Sequence, residues 1–439
     1  MTAATPAVDG APPAASQPAP RFTVMLVLPR ADHLRAYQPL VRALGRAGDV
    51  AAIVVSAGGT APGGPPVQGA AYEPCPFDGG DGGTLGWLRL LVRRERTARR
   101  LVDGLRGPAV LAVPSDVSDL TLPFVARARR RGVPVAYVQG AFVFADYPRL
   151  NAATQAAEIR SRPLVARLGI RVLPLLLRAC GVHAAILTKG VIGSQADRSL
   201  LIDEGQLEVH EAAGVPAARL RVTGAPFLDD LFTARDRFDD VARRRVLAGL
   251  GLDDRPMAVF ISKTRHRIGA DPSLHETIVR DVVGAIRAQL PGWACVVKLH
   301  PNEDEADYQW LIDEADPLVR VVKRVVVEDL LLAGQLTLSL GTSSPAFTAT
   351  LLGRPLILVN FTGASILDAH GGFVAAATSA RSAAELGHLL GQVAREGRAA
   401  LARLTMPPAV EAAWFDGRAS ERIVGHLREL ADGQAAETT

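Results

Sequence analysis

The sequence predicts an α/β protein made of two doubly wound domains, each a parallel β-sheet covered by helices on both faces. At 439 residues the chain exceeds what one hydrophobic core usually supports, so two domains of about 200 residues each are expected. Its 48% hydrophobic residues are sufficient for two cores. From Phe22 onward, short β-branched apolar runs alternate with longer helical patterns, which is typical of parallel sheets.

The first domain is predicted from a strand at FTVMLVLP, a helix at HLRAYQPLVRALGRAGD and a strand at VAAIVVSAGG. The same unit repeats with PAVLAVPSD, LPFVARARRRG and VPVAYVQGAF. The last strands of this domain are predicted at 184–194 and 221–224. A charged helical stretch without strand pattern then marks the domain junction.

The second domain alternates in the same way, with strands predicted at PMAVFIS, ACVVKLHP, LVRVV, LTLSLGTSS and PLILVNF and helices at HETIVRDVVGAIRAQL, ADYQWLIDEA, VEDLLLAG and PAFTATLLG. A final helix, GRASERIVGHLREL, is expected to pack back across the junction. The predicted boundaries are a disordered Ala/Pro-rich tail at 1–20, Rossmann-like domains at 21–228 and 255–405, a linker helix at 229–254, and a crossing helix and tail at 406–439. Both sheets would present their carboxyl ends to one cleft.

Composition excludes several functional classes. The net charge of +4 is small for this length, and the 5% aromatic content argues against stacking platforms for nucleic acid. The three cysteines are far apart and lack zinc-ligand spacing, which indicates a reduced chain. Without a secretory signal pattern or an uncharged apolar run long enough for a membrane span, a cytoplasmic protein is expected.

A histidine ends the strand predicted at ACVVKLHP. His300 precedes a proline, which restricts it to extended geometry and directs its imidazole toward the cleft. The alternative is an ordinary loop histidine. SKTRHR, after the first strand of the same domain, places Lys263 and Arg265 at the same sheet edge, where cations neutralise a departing diphosphate. A solvated basic turn is equally compatible with this segment.

Three hydroxyl side chains, Thr342, Ser343 and Ser344, lie between a strand and a helix in SLGTSSP. Hydroxyls and backbone N–H groups at a helix N-terminus bind phosphate oxygens with help from the helix dipole. The same residues also fit a simple helix cap. Their position at the end of a later strand of the sheet that carries His300 favours the phosphate site.

Three side chains of the first domain follow predicted strands and are candidates for a general base. His33 follows the first strand, and Asp116 and Asp119 lie in the PSDVSD loop. Because open α/β sheets bind ligands at the carboxyl ends of their strands, each is expected at the cleft. The alternatives are a helix-start position for His33 and, for Asp119, the cap of a helix that begins at Leu120.

The remaining charged groups are not catalytic candidates. Acidic doublets at 229–230, 239–240 and 253–254 are interpreted as solvated faces, so no metal is expected. Four arginines would share one helix face and contact an anionic membrane surface peripherally: Arg160, Arg167, Arg171 and Arg178. An ordinary domain helix with a solvated stripe is the alternative, and the basic run 88–106 has the same two interpretations.

The HP motif, the later SLGTSS and the following GRPLILVNF resemble GT-B glycosyltransferases of bacterial surface polysaccharide synthesis. The resemblance extends to CDP-glycerol glycerophosphotransferases, polysialyltransferase-like enzymes and the UDP-N-acetylglucosamine 2-epimerase superfamily. It covers most of the chain after the tail, including LRAYQPLVRALGRAG, LRVTGAPFLDDL and FDGRASERI.

The resemblance implies a GT-B fold with an acceptor-binding first domain and a donor-binding second domain. Donor phosphate would contact His300, Ser343 and Ser344, with Gly224 of the VTGAP turn bordering the same cleft. The implied activity is a metal- and cofactor-independent, inverting transfer of a sugar or glycerol phosphate. The donor would be nucleotide-activated, and the acceptor a surface glycan, a lipid-linked molecule or a small molecule.

The sequence departs from the epimerases at two places. They carry a His and a catalytic Glu where this sequence has Tyr137 and Gln139, and a glutamine cannot exchange a proton as a carboxylate does. The acidic residues that they place after the serine turn are replaced by PAFTAT at 345–350. A nucleotide-sugar epimerase or hydrolase, and a non-catalytic nucleotide-sugar binding protein, remain the alternatives.

Overall fold

The computed structural model describes residues 20–57, 67–77, 84–140, 172, 177, 179, 181–182, 192–263, 272–301, 303–341, 343–361, 377–405 and 414–438. Within them the chain forms one seven-stranded and one six-stranded parallel sheet, each flanked by helices. The predicted fold class, two doubly wound α/β domains, is confirmed.

The first lobe is built on the seven-stranded sheet. Its strands are β1 (Phe22–Leu28), β2 (Val50–Ser56), β3 (Ala70–Pro74), β4 (Ala109–Val113), β5 (Val135–Val138), β6 (Arg198–Leu201) and β7 (Leu220–Val222). Its helices are α1 (Ala31–Ala36), α2 (Gln38–Arg46), α3 (Thr84–Asp103), α4 (Leu122–Arg130) and α5 (Glu204–Ala212). The strand order is β3-β2-β1-β4-β5-β6-β7, so the direction of winding reverses between β1 and β4.

Two helices, α6 (Asp229–Arg237) and α7 (Asp240–Gly249), lead into the second lobe. Its strands are β8 (Met257–Ile261), β9 (Ala294–Lys298), β10 (Val319–Val322), β11 (Leu336–Leu340), β12 (Leu356–Val359) and β13 (Thr378–Ala380). Its helices are α8 (Pro272–Gln289), α9 (Gln309–Asp313), α10 (Val327–Ala333), α11 (Ser344–Leu351), α12 (Ala383–Glu396) and α13 (Arg398–Leu404), and α14 (Ala419–Thr438) follows. The order β10-β9-β8-β11-β12-β13 reverses between β8 and β11.

The central strands are largely apolar because helices cover both faces of each sheet. Every residue of β4, β8, β9 and β11 is buried. Separate apolar cores on the faces of each sheet follow, which is the doubly wound arrangement that the alternating sequence pattern predicts.

Several element boundaries differ from the sequence expectations. The helix predicted at 33–49 is two helices that meet at Tyr37, because Pro39 lacks the N–H that a continuous helix needs. The linker helix predicted at 229–254 is also two helices, and Asp239 begins the second by accepting the backbone N–H of Ala242 at 2.8 Å. A strand was expected at 184–194; residues 184–191 lie outside the described part of the chain, residues 192–194 lie in a turn, and the next described strand is β6.

The last helix, α14, returns to the first lobe as the sequence predicts. Ile423 and Leu427 are completely buried in the core of that lobe. Asp229, at the start of α6, accepts backbone N–H groups of Ala419 (3.0 Å) and Ser420 (2.8 Å) at the start of α14. The two segments that cross between the lobes are therefore tied to each other.

The carboxyl edges of the two sheets meet at the junction. Ile202, directly after β6, and Ala225, after β7, belong to the same buried apolar cluster as Ala346 and Phe347 of α11. Phe347 also contacts Phe415 edge to face, with 5.4 Å between ring centroids. Because α11 begins at the carboxyl edge of the second sheet, loops at the carboxyl ends of both sheets border one interlobe region.

Candidate functional site

The carboxyl ends of three neighbouring strands of the second lobe carry the predicted phosphate ligands. The strands are adjacent in the order β9-β8-β11, and His300, Lys263 and Ser343 each follow one of them. Lys263 and Ser343 flank the reversal between β8 and β11, where open α/β sheets form their ligand crevice. The sequence prediction that these motifs share one sheet edge is confirmed by this topology.

A tight turn leads from β11 into α11. Gly341 has φ +66°, a left-handed conformation that favours glycine. Ser343 is the N-cap of α11: its hydroxyl accepts the backbone N–H of Ala346 at 3.2 Å and lies 3.0 Å from the hydroxyl of Ser339. Ser344, the first helical residue, is exposed. The helix cap that was the alternative interpretation of this segment is thus observed, at a helix end whose dipole favours an anion.

His300 lies in a turn that closes on Glu303. Its backbone N–H donates to the carboxylate of Glu303 at 2.6 Å, and the backbone N–H of Glu303 donates to the carbonyl of His300 at 3.0 Å. His300 is half-buried, whereas Glu303 is only 5% exposed. The strand-end histidine therefore has a backbone held by a buried carboxylate.

The same carboxylate accepts hydrogen bonds from three other side chains. The hydroxyls of Ser262 and Tyr308 donate to Glu303 at 2.9 and 2.7 Å, and Nε2 of His275 lies 3.2 Å away. Burial raises the pKa of Glu303, but the hydrogen bonds from His275, the His300 backbone, Tyr308 and Ser262 outweigh it, so the pKa is lowered overall. Glu303 is thus a buried carboxylate that stays ionised.

A buried lysine joins the ends of β9 and β10. The ammonium of Lys298 donates to the carbonyl oxygens of Leu299 (2.8 Å) and Lys323 (2.9 Å). Burial lowers the pKa of Lys298, and the nearby carboxylates of Glu303 and Glu328 counteract this shift. Its position fixes the two strand ends next to the turn that carries His300.

In the first lobe, the three base candidates flank the reversal between β1 and β4. His33 lies in α1, directly after β1, and is half-buried. It is the third residue of that helix and not its cap, which is Arg30. The hydroxyl of Tyr37, one turn later, donates to the carbonyl of Val138 and so ties this helix to the end of β5.

Asp116 was expected at the cleft, but its side chain is completely buried. Its carboxylate accepts backbone N–H groups of Gly193 (2.7 Å), Gln195 (2.6 Å) and Ala196 (3.0 Å). Burial raises the pKa of Asp116 despite these hydrogen bonds. With both oxygens occupied, Asp116 holds the segment before β6 and is poorly placed to accept a proton from a ligand.

Asp119 lies beside a buried arginine of α3. One of its oxygens is 3.8 Å from Arg94, whose guanidinium also donates to the carbonyls of Asp119 (3.2 Å) and Phe77 (3.1 Å). The alternative interpretation of Asp119, as the cap of a helix that begins at Leu120, is wrong: the helix begins at Leu122 and has no side-chain cap. Arg94 also shows that the basic run 88–106 is not only a solvated face, since its side chain is 2% exposed.

The residues at the two epimerase positions are buried in a polar cluster. The side-chain amide of Gln139 accepts the backbone N–H of Ile202 at 3.1 Å and donates to the side-chain oxygen of Gln206. Tyr137 packs against His210, with 5.9 Å between ring centroids. Gln139 therefore uses its amide both as a donor and as an acceptor, which an ionised carboxylate could not do.

Gly224 meets the C-terminal segment. It has φ +89°, and a Cβ placed on it would lie 2.3 Å from the carbonyl oxygen of Trp414. Arg422 of α14 donates to the carbonyls of Thr223 (2.8 Å) and Trp414 (3.0 Å) on either side of this contact. Close approach of the chain accounts for this glycine.

Some predicted residues lie outside the described part of the chain. They are Thr342, Arg265 and the four arginines of the predicted membrane face, Arg160, Arg167, Arg171 and Arg178. Among the residues that the structure describes, no group of three His, Cys, Asp or Glu side chains could hold a metal ion. No helix within those residues is both long and apolar enough to cross a membrane.

Solved structures with the same architecture cover nearly the whole chain. The UDP co-structure of MnaA from S. aureus is 14% identical, with a TM-score of 0.58 over 93% of this chain and 97% of that chain. UDP-GlcNAc 2-epimerase from Neisseria meningitidis bound to UDP-GlcNAc is 13% identical, with a TM-score of 0.59 over 93% and 100%. This chain has the GT-B fold. No protein-family model and no curated protein matches the sequence.

The same GT-B architecture also occurs in a neighbour with another activity. The kitacinnamycin glycotransferase is 18% identical, with a TM-score of 0.58 over 93% of this chain and 100% of that chain. The fold therefore includes both epimerases and a transferase. The fold alone therefore assigns neither activity to this chain.

Sequence reasoning missed most of the buried network behind His300. Glu303 was visible in KLHPNE, three residues after the histidine, but Ser262, His275 and Tyr308 come from separate segments. A carboxylate three residues after a strand-end histidine, in a turn, was the available signal, because such a side chain can cap the backbone N–H of the histidine.

Proposed function

We propose that this protein is a metal-independent GT-B transferase that moves a sugar or glycerol phosphate from a nucleotide-activated donor to an acceptor. The observation that carries the proposal is the convergence of His300, Lys263 and the Ser343 helix end on three neighbouring strand ends. An imidazole, an ammonium and a helix N-terminus are the groups that bind a diphosphate and stabilise its departure. MnaA carries UDP and the Neisseria meningitidis epimerase carries UDP-GlcNAc on this fold, which supports a nucleotide-sugar donor here.

The environment of Gln139 favours a transferase over an epimerase. Its amide is buried, and both of its polar ends have partners within the first lobe. A neutral amide at this position cannot remove and return a proton. The helix after the serine turn also offers no carboxylate, since its sequence at 344–351, SPAFTATL, contains no Asp or Glu.

His33 is the base candidate that we favour for activating the acceptor. It follows β1 at the reversal of the first sheet and is half-buried. Asp116 is committed to three backbone N–H groups, and Asp119 lies next to the Arg94 guanidinium. An imidazole at this place suits proton transfer near neutral pH.

The donor site is tested by thermal unfolding of wild type and His300→Ala with UDP-, CDP-, CMP- and GDP-linked donors. A ligand at about 100 times its dissociation constant adds roughly 2.7 kcal/mol of stability. We expect one base to stabilise wild type and the stabilisation to be largely lost in His300→Ala. The matched control is His388→Ala, an exposed histidine of α12 in the same lobe, which should respond like wild type.

Turnover separates the activities. Nucleotide release that depends on an added glycan, lipid-linked or small-molecule acceptor supports the transferase. Epimer formation from the donor alone, detected by NMR, would show an isomerase instead. Stabilisation by a donor without product under any acceptor condition would favour a binding protein. If no nucleotide shifts folded wild type, the donor-site proposal is wrong.

A further inference from the structure

Glu303 links three separate elements behind the proposed donor site. It accepts hydrogen bonds from Ser262 at the end of β8, from His275 of α8 and from Tyr308, which ends the short helical turn before α9. Its second oxygen accepts the backbone N–H of His300 after β9. One carboxylate thus connects the loops that carry two of the three proposed phosphate ligands.

The contacts make Glu303 an acceptor on both oxygens. Oε2 bonds to the His300 backbone at 2.6 Å, and Oε1 bonds to the hydroxyls of Ser262 and Tyr308. A backbone N–H cannot reverse its role, so the position requires an oxygen on that side. Charge-assisted hydrogen bonds of this kind are stronger than neutral ones, and they restrict the turn at His300.

The hydrogen bonds of Glu303 also reach the Lys263 loop, through Ser262 and His275. Ser262 directly precedes Lys263, and Nε2 of His275 lies 3.1 Å from the Lys263 carbonyl oxygen and 3.3 Å from the Ser262 hydroxyl. His275 and Tyr308 also pack ring against ring at 86° with centroids 6.0 Å apart. The start of the β8 loop is therefore held by the same cluster as the β9 turn.

We infer that Glu303 is a positioning residue of the donor site, which sets the spacing between His300 and the Ser262–Lys263 loop for the two phosphates of a nucleoside diphosphate. The inference rests on the proposed function. Glu303 is buried behind the strand ends and acts through His300 and Lys263. A geometric error of about 1 Å at such a site is costly, because phosphate recognition needs several donors at once.

A double-mutant cycle tests the inference. Dissociation constants for UDP are measured by calorimetry for wild type, Glu303→Gln, His300→Ala and the double variant. Glutamine has nearly the same shape but presents an NH₂ group to donors on one side and removes the charge. We expect Glu303→Gln to weaken UDP binding about tenfold, and the double variant to lose less affinity than the product of the two single fold-changes, because part of the Glu303 effect passes through His300.

Matched variants separate positioning from general loss of stability. Asp316→Asn, in the same lobe, alters a carboxylate that also accepts a backbone N–H, from Leu318 at 2.8 Å, and lies before β10 at the opposite sheet edge. It should lower the thermal midpoint without changing the UDP affinity. Tyr308→Phe removes one donor to Glu303 and should weaken UDP binding about threefold; it serves if Glu303→Gln does not fold.

The outcomes distinguish this inference from the donor site itself. If His300→Ala weakens UDP binding but Glu303→Gln and Tyr308→Phe do not, only the positioning role is wrong. Additive penalties in the double variant also overturn it, because Glu303 would then act independently of His300. If wild type binds none of UDP, CDP, CMP and GDP, or if His300→Ala does not weaken binding of the nucleotide that wild type binds, the proposed donor site fails and the inference fails with it.

Discussion

The two lobes each contain a buried carboxylate close to the reversal of the sheet, but the two carboxylates do different things. Asp116, after β4, accepts three backbone N–H groups from the segment that precedes β6. Glu303, after β9, accepts one backbone N–H group and hydrogen bonds from side chains of Ser262, His275 and Tyr308. Burial raises the pKa of Asp116, whereas the hydrogen bonds lower the pKa of Glu303.

The difference indicates how each lobe uses its strand-end loops. The bonds of Asp116 hold a connection within the first lobe, so its contribution is to folding. The bonds of Glu303 end on residues next to proposed ligands, so its contribution extends to the site. A carboxylate at the carboxyl end of a strand is therefore not by itself a catalytic candidate; its partners decide.

Asp116→Ala should have the largest effect on stability and little effect on the donor site. Two buried N–H groups, of Gly193 and Ala196, and the part-buried N–H group of Gln195 would lose their acceptor. Each unsatisfied buried group costs about 1–3 kcal/mol, partly recovered by relaxation. We expect a loss of about 3 kcal/mol in the free energy of unfolding, measured by urea denaturation. UDP affinity under native conditions should stay within about twofold of wild type, since additivity holds for distant sites.

Glu303→Gln provides the contrast in the same two assays. If Asp116→Ala weakened UDP binding as strongly as Glu303→Gln does, the division between a folding carboxylate and a site carboxylate would be lost. If both variants bind UDP as tightly as wild type does, Glu303 does not position the donor site.

Gln139→Glu should lower stability by less than Asp116→Ala does. The carboxylate would be buried next to the side-chain oxygen of Gln206, and it could not donate the hydrogen bond that the amide provides. We expect about 2 kcal/mol of lost stability and no epimerase activity. Gln392→Glu, on α12 beside His388, is the control and should change stability by less than about 0.5 kcal/mol. Epimer formation by Gln139→Glu would show that this lobe retains the rest of an epimerase site.

The fold was predictable because its signal is local and repeated. Apolar runs such as MAVFI and LTLSL predicted β8 and β11, and their order along the chain predicted a parallel sheet. The less apolar strands β3 (AAYEP) and β6 (RSLL) were missed because their patterns are weak. The strand-end motifs of the second lobe were found because each sits next to a clear strand.

The roles of individual side chains were less predictable, because they depend on partners that are distant in sequence. Nothing near Asp116 shows that residues 193–196 will occupy its carboxylate, 77 residues away from the nearest partner. Nor does the VTGAP turn show that Trp414 will approach Gly224. The topology brings candidates to the correct edge, but burial and hydrogen-bond partners determine which of them are accessible.

The smallest expected effect is a change in the free energy of unfolding with pH. Its sign should be opposite for Glu303 and Asp116. A lowered pKa in the folded state means that Glu303 stabilises the fold above its ordinary value of 4.5, and this contribution is lost as the pH falls through the lower folded value. A raised pKa means that Asp116 contributes most below 3.8, and this contribution is lost as the pH rises through the higher folded value.

Urea denaturation between about pH 3 and 7 measures these contributions as differences between wild type and the non-titrating variants Glu303→Gln and Asp116→Asn. The stability advantage of wild type over Glu303→Gln should shrink toward acid, whereas its advantage over Asp116→Asn should shrink toward neutral pH. Curves that shift in the same direction would mean that both carboxylates are held in the same protonation state. The contrast between the lobes would then reside only in the identity of the hydrogen-bond partners.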